Sequence, residues 1–330
     1  MILVDADVLG RNRTGEETYV LNLLRQLPFV APDLTFAAVT RHPELVPDGV
    51  EAIGLPARFQ ETRMAVSLPR LLRRLRPELS HFQHALPLGL RGPSVVTIHD
   101  LQFERDPSVL GLADRVTFKL VVPRAVRRAD HVLAVSERTK RDLVELYGVD
   151  PGKVTVTPHG VDPAFTPGDG SHDGYLLFVG AVQERKDPLA ALEAADAAGL
   201  PLVVAGPEKE PELARELRAR GADVRGWVEK PELAELYRRA AALILPSRYE
   251  GFGVPALEAM ASGTPVVLSD DEALREVAGD AGIYGDLADA VRTALADRDR
   301  YARAGLERAA HFTWEESARR TADVYRQVLA

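Results

Sequence analysis

The sequence predicts an α/β fold: two facing, Rossmann-like domains, each on a parallel sheet, with a cleft between them. Three observations lead there. Short apolar runs alternate with amphipathic stretches along the chain, as strands of a parallel sheet alternate with their crossover helices. The length of 330 residues suits two domains that each bury a core. Residues 158–174, PHGVDPAFTPGDGSHDG, hold three prolines and four glycines, the composition of a linker.

In the first half, residues 2–4, 36–39, 95–98, 131–135 and 154–157 read as strands. Residues 16–26, 66–74, 114–128 and 138–147 read as helices, with Ser136 placed to cap the last of these. Strand signals restart at 176–179 and continue at 202–205, 224–225, 242–245 and 266–268. A final helix near 315–329 follows the aromatic cluster His311, Phe312 and Trp314. No solenoid-type repeat is present. The expected division is 1–165, 166–312, and a terminal helix over 313–330.

Composition excludes several classes. Hydrophobic residues make up 46% and charged residues 27%, as in soluble globular proteins. No apolar run approaches the length of a membrane span, and the N-terminal MILVDADVL lacks the basic flank and cleavage site of a signal peptide. Without cysteine there are no disulfides or thiolate metal sites, which is compatible with the cytoplasm. Lysine occurs only six times, a bias towards arginine that fits a GC-rich bacterial genome. Charge is uneven: residues 1–165 carry 21 basic and 20 acidic side chains, the remainder 20 and 29. Within the first half, residues 58–128 hold 13 basic and 6 acidic residues, including LPRLLRRLRP and the cluster Arg124, Arg127, Arg128. Such a stretch is either an ordinary solvated helix face or a surface for anionic lipid at the inner face of the membrane. No aromatic interleaving points to nucleic acid.

The most informative segment is 246–263, PSRYEGFGVPALEAMASG. An apolar strand precedes it and another follows, so Gly251 and Gly253 form a turn between strand and helix. In an open parallel sheet that turn lies at the carboxyl edge, where ligands bind and free N–H groups suit anions. Pro255 fits the first helical position. Glu258 falls about one turn into the helix and Glu250 lies upstream in the turn. They share no helical face and so read as two contacts spaced along one ligand. Either glutamate alone would pass as a solvated carboxylate; the whole string with its flanks points to a ligand.

This pattern resembles the Glu-x7-Glu motif of glycosyltransferase family 4, retaining enzymes of the GT-B fold that take sugars from nucleotide-diphosphate donors. The resemblance implies that Glu250, with the backbone at Phe252 and Gly253, holds the donor sugar, and that Glu258 holds the ribose. It spans roughly residues 9 to 325, with the second domain closer to pattern and the stretch after Ile283 shortened.

Breaking a glycosyl–nucleotide bond requires stabilisation of the departing diphosphate, by a metal or by basic groups at a helix N-terminus. LLFVGAVQERKDP places Gly180 after a strand and Arg185-Lys186 just before a helix, at its positive end. The family has a similar basic pair for the donor phosphates. Some members carry arginine directly after the glycine, where this chain has Ala181. Asp5-Ala6-Asp7 spells the Asp-x-Asp of metal-dependent transferases, but at residue five it reads as strand-end aspartates. His81 and His84 lack a third ligand. No metal or other cofactor is expected.

In the first domain, residues 14–19 read TGEETY, and Gly15 would let a backbone N–H approach the diphosphate. Glu16 and Glu17 would repel a phosphate unless turned away. His99-Asp100 follows a strand and resembles the family's His-Asp element, whose histidine approaches the donor sugar. Residues 129–162 also resemble the family throughout. Arg225-Gly226-Trp227-Val228 resembles the segment that receives the nucleobase; from the residues alone, Trp227 is equally a core tryptophan. TIHDLQFERDP is similar to mannosyltransferase members.

The resemblance therefore implies a metal-independent, retaining hexosyltransferase, with mannose the favoured sugar. It would use a nucleotide-diphosphate sugar, with a glycan, lipid-linked or small-molecule acceptor on the first domain. It would be cytoplasmic, with peripheral membrane contact through the basic first domain left open. The alternatives are a GT-B sugar-nucleotide epimerase or phosphorylase, and a non-catalytic nucleotide-sugar-binding protein.

Overall fold

A computed structural model describes residues 1–11, 14–57, 59–105 and 112–330; Arg58 and the Asp106-Pro107 end of TIHDLQFERDP lie outside them. The chain divides into two compact units, Met1–Gly160 with Thr313–Ala330, and Val161–Phe312. Residues 161–165, the end of the expected first domain within the linker stretch, fall in the second unit by their contacts. Val161 N–H donates to the Phe312 carbonyl at 3.0 Å, and Phe165 packs edge-on against Tyr237.

The first unit holds β1 (Ile2–Asp5), β2 (Phe36–Thr40), β3 (Glu51–Gly54), β4 (Leu79–Gln83), β5 (Ser94–Ile98), β6 (His131–Ala134) and β7 (Val154–Val156). They form a seven-stranded sheet of order β3-β2-β1-β4-β5-β6-β7, parallel throughout. The second unit holds β8 (Leu176–Val179), β9 (Leu202–Ala205), β10 (Asp223–Gly226), β11 (Ala242–Leu245), β12 (Val266–Leu268) and β13 (Gly282–Ile283). Their order is β10-β9-β8-β11-β12-β13, again parallel. Each unit is thus a doubly wound α/β domain whose strand order reverses once, between β1 and β4 and between β8 and β11. At such a reversal the loops leaving the two strands run to opposite faces and open a crevice at the carboxyl edge.

Three strands escape the apolar-run signal. β3 is a largely exposed edge and β13 has only two residues. β4, LSHFQ, is central yet carries polar side chains where parallel strands usually read as apolar runs. Its fully buried His81 is satisfied by tertiary partners, with Nδ1 2.6 Å from the Tyr325 hydroxyl and Nε2 2.7 Å from Thr97 Oγ1. Tyr325 belongs to the terminal helix Trp314–Leu329, which packs on the helix Thr14–Val30 and shares its core. Ser136 caps the helix Glu137–Tyr147, accepting from Thr139 N–H at 3.0 Å.

At the carboxyl end of β1 the two aspartates are tied to arginines. Arg63 is fully buried; its Nη1 lies 2.9 Å from Asp5 Oδ2, and its Nε lies 3.3 Å from Asp7 Oδ1. Arg41 and Arg11 also bond Asp7, each at 3.1 Å. Burial disfavours the Arg63 charge, but the aspartates outweigh it and its pKa rises. Removing one member of a buried ion cluster strands the others, at a cost of about 3–5 kcal/mol. Arg63→Met should lower the stability of the first unit by about that much. Urea unfolding followed by Trp314 fluorescence, in a Trp227→Phe background, measures it; an unshifted midpoint would refute it.

Candidate functional site

The crevice of the second unit is built from the loops leaving β8 and β11. Gly180 follows β8, Gly206 follows β9 and Gly226 ends β10. A Cβ on Gly206 would sit 2.0 Å from the Gly180 carbonyl oxygen, so these strand ends touch backbone to backbone. Gly206 escapes a motif-based reading because its role is contact with another strand.

After Gly180 the chain makes a short 3-10 turn, Glu184–Lys186, and Asp187 in the left-handed region (φ 51°) redirects it into the helix Pro188–Ala198. This turn is bound to the loop after β11. Arg185 Nη1 donates to the Tyr249 carbonyl at 3.1 Å, and Arg248 N–H donates to the Arg185 carbonyl at 2.9 Å. Lys186 is buried, and its Nζ forms an ion pair with the buried Glu250 carboxylate. Burial alone would raise the Glu250 pKa. The Lys186 and Arg185 charges, with the hydrogen bond from Lys186, outweigh burial and hold it below the ordinary range. Two residues that the sequence pattern places 64 positions apart become one charged unit. Glu250 N–H also donates to Asp271 Oδ2 at 3.3 Å, and Asp271 caps the helix Glu272–Ala278.

The loop then enters the helix Val254–Ala261 through Gly253, whose φ of 102° favours glycine and whose added Cβ would strike Leu274 at 2.7 Å. Phe252 is buried and turns its ring inward, edge-on to Phe312. On the helix, Glu258 accepts from the Tyr237 hydroxyl at 2.9 Å. Burial pushes the Glu258 carboxyl up to about 8, with the nearby Asp162 adding to it and the Tyr237 hydrogen bond and Lys230 opposing. Asp162 and Lys230 are themselves paired at 2.6 Å. This polar surround of Glu258 carries no sequence signature, because its members come from two segments far from Glu258 in the chain, the stretch at Asp162 and the helix Lys230–Arg239.

Trp227 is 44% exposed at the outer-edge strand β10, so the core-tryptophan alternative fails. Its indole N–H lies 3.3 Å from Glu229 Oε1, and Val228 beside it is half-buried.

In the first unit, Gly15 is the second residue of the helix Thr14–Val30, and among the described residues no atom outside its own stretch of helix lies within 4 Å of an added Cβ. The neighbouring carboxylates are engaged by protein groups: Glu16 lies 3.3 Å from His84 Nε2, and Glu17 accepts from Gly10 N–H at 2.7 Å. His99 follows β5, with Nε2 2.9 Å from Gln83 Oε1 and its ring edge-on to Tyr19 at 4.9 Å. Since Tyr19 lies one turn along the helix from Gly15, that helix and the His99 loop share a wall. Burial drives the His99 pKa well below 6.5; His84, His159 and His81 push the same way and Glu16 opposes. The imidazole is neutral at pH 7. Among the described residues, no group of three or more His, Asp or Glu side chains is placed to hold a metal ion.

Comparison with known proteins agrees with this architecture. Residues 13–165 match the model described as Glycosyltransferase Family 4, and residues 167–309 the model described as Glycosyl transferases group 1. The chain belongs to this glycosyltransferase family, with the two-domain α/β fold of its GT-B members. It is 31% identical over 280 residues to D-inositol 3-phosphate glycosyltransferase of Nocardia farcinica, covering 72% of this chain and 62% of that protein. It is 28% identical over 267 residues to O-antigen chain mannosyltransferase B of Escherichia coli, covering 71% and 70%. The structure of Anabaena HepE in complex with UDP-glucose superposes with a TM-score of 0.73, at 16% identity and over 99% of both chains. The chain thus spans about three fifths of the length of the first of these relatives.

Because the folded pKa of Glu258 lies above its ordinary 4.5, its contribution to stability is fully present below 4.5. That contribution is lost as pH rises through about 8. Thermal midpoints of the wild type should fall across this window relative to Glu258→Gln. Parallel pH profiles for the two proteins would show that the carboxyl titrates normally.

Proposed function

We propose that the protein is a retaining, metal-independent glycosyltransferase that moves a hexose from a nucleotide-diphosphate sugar to a glycan, lipid-linked or small-molecule acceptor. The observation that carries this reading is the buried Lys186–Glu250 pair at the strand-order reversal, with Arg185 beside it and a helix N-terminus behind it. Negative charge develops on the diphosphate as the glycosyl bond breaks, and preorganised cations stabilise that charge without a metal. Asp5 and Asp7, the carboxylates that a metal would call on, are already neutralised by arginines.

In this reading Arg185 and Lys186 meet the donor phosphates. Glu250, kept ionised by Lys186, accepts hydrogen bonds from sugar hydroxyls, and the backbone at Phe252 and Gly253 holds the same sugar. Glu258 meets the ribose, where a carboxyl titrating near 8 can either donate or accept. Trp227 and Val228 neighbour the base, and Gly180 leaves room for the diphosphate. Gly15 gives it a close approach from the first unit, and neutral His99 borders the sugar. Attack comes from the face the leaving group departs, and the departing phosphate helps remove the acceptor proton. The names of the relatives support transfer of a glycosyl group, and that of the Escherichia coli relative supports mannose. HepE in complex with UDP-glucose supports a nucleotide-sugar donor. A cytoplasmic enzyme acting on a lipid-linked acceptor works at a membrane face, and peripheral contact through the basic first unit belongs to the same reading. Among the described residues, no helix is long and apolar enough to cross a membrane.

A thermal-shift screen of nucleotide sugars identifies the donor, since a ligand at a hundred times its Kd stabilises by about 2.7 kcal/mol. With that donor, Arg185→Gln should lower kcat by about 10²–10³ in a protein that still unfolds cooperatively, and chelator should leave turnover intact. Full turnover in the variant would sink the assignment. Gly15→Ala offers a second check, because among the described residues the added methyl meets no atom outside its own stretch of helix. Thermal stability should hold or rise slightly while donor KM increases. An unchanged KM would remove Gly15 from the donor site.

A further inference from the structure

Three elements of the first unit build a face that uses none of the residues assigned above. The helix Leu68–Leu75 buries Leu68, Leu71 and Leu72 and presents Arg70, Arg73 and Arg74 to solvent. The loop over residues 88–92 lies against it: Leu88 N–H donates to the Met64 carbonyl at 3.0 Å, and a Cβ on Gly89 would sit 3.7 Å from the Arg73 guanidinium. The same loop is tied to the helix Leu112–Arg128 by the Arg128 guanidinium, which donates to the Leu90 carbonyl at 3.1 Å. On that helix Leu120, Arg124 and Arg127 fall at helical spacing on one exposed stripe.

Charge and apolar exposure coincide here. Arg70, Arg73, Arg74, Arg91, Arg124 and Arg127 are exposed and pair with no carboxylate among the described residues, whereas Arg105, Arg218, Arg239 and Arg326 are each ion-paired. Residues 62–77, 84–99 and 116–129 contain no Asp or Glu; the nearest acids along the first stretch are Glu61 and Glu78, the latter held by the terminal amine. Among the arginines stand Leu88, 53% exposed, and Leu120, 68% exposed. Unpaired guanidinium groups repel one another, and large leucines in water cost free energy. Both are offset on an anionic surface with an apolar interior.

We propose that this face docks the protein on an anionic lipid bilayer, with the arginines at headgroup phosphates and Leu88 and Leu120 entering the acyl boundary. The anchors are aliphatic and stack on no base, which favours a bilayer over a nucleic acid. This deepens the peripheral contact proposed above by naming the face and the lipid charge. Vesicle binding needs neither donor nor acceptor, so it stands or falls separately from the transfer reaction.

The test is co-sedimentation of the full chain with phosphatidylcholine vesicles, with and without phosphatidylglycerol. Binding should require phosphatidylglycerol and weaken with salt. Each arginine lost should lower the partition about fivefold, so Arg70, Arg73, Arg74 and Arg124 changed together to Gln should lower it several hundredfold at an unchanged thermal midpoint. Leu88→Ser with Leu120→Ser should weaken the binding that remains at high salt. Equal partition to neutral vesicles, an unaffected arginine variant, or tighter binding to duplex DNA than to the anionic vesicles would each overturn the proposal.

Discussion

The Lys186–Glu250 ion pair is the contact on which the candidate site depends. A lysine and a glutamate are both expensive to bury alone, and each is tolerable here because of the other. Their pairing ties the loop after β8 to the loop after β11, the two loops that diverge where the strand order reverses. Arg185 reinforces the tie through the Tyr249 carbonyl, and Asp271 holds the Glu250 backbone from the next helix. Charge that would otherwise drive these loops into water keeps them folded against the sheet. The same charge is what a diphosphate would meet.

The first unit solves a related problem with different groups. Polar side chains occupy the middle of its sheet: His81 and Thr97 lie on adjacent strands and are satisfied by Tyr325 and Tyr19 from the two packed helices. Because Tyr325 comes from the terminal helix, the last residues of the chain complete the polar core of the first. Asp5 and Asp7 are likewise neutralised by Arg63 and Arg41 rather than left open at the strand edge. The interior is thus cross-linked by specific hydrogen bonds where an apolar core would rely on shape alone. Glu16 and Glu17 follow the same logic: protein partners engage both.

Much of the site was legible in the sequence because it rests on local chemistry. The Gly-rich turn, Pro255 at a helix start and Glu258 one turn later are properties of a short segment, and the structure places them on the elements expected. Arg185 and Lys186 before a helix are equally local. Not legible were the Lys186–Glu250 contact, the Tyr237 partner of Glu258, and the close approach of Gly206 to Gly180. Each joins segments far apart in the chain, and no periodicity records such a meeting.

By itself the sequence determined the α/β class, most strands and helices, and the family. Hydrophobic period and turn chemistry act over a few residues, and the family's motif is contiguous. Only the tertiary structure decided that β4 is a strand despite Ser80, His81 and Gln83, since burial of those groups depends on partners on other strands and on the terminal helix. It also decided the charge states of the site. Glu250 and Glu258 are alike in sequence, yet Lys186 holds one carboxyl low while burial beside Asp162 pushes the other up to about 8. A pKa responds to desolvation and neighbouring charge, and both exist only once the chain has folded.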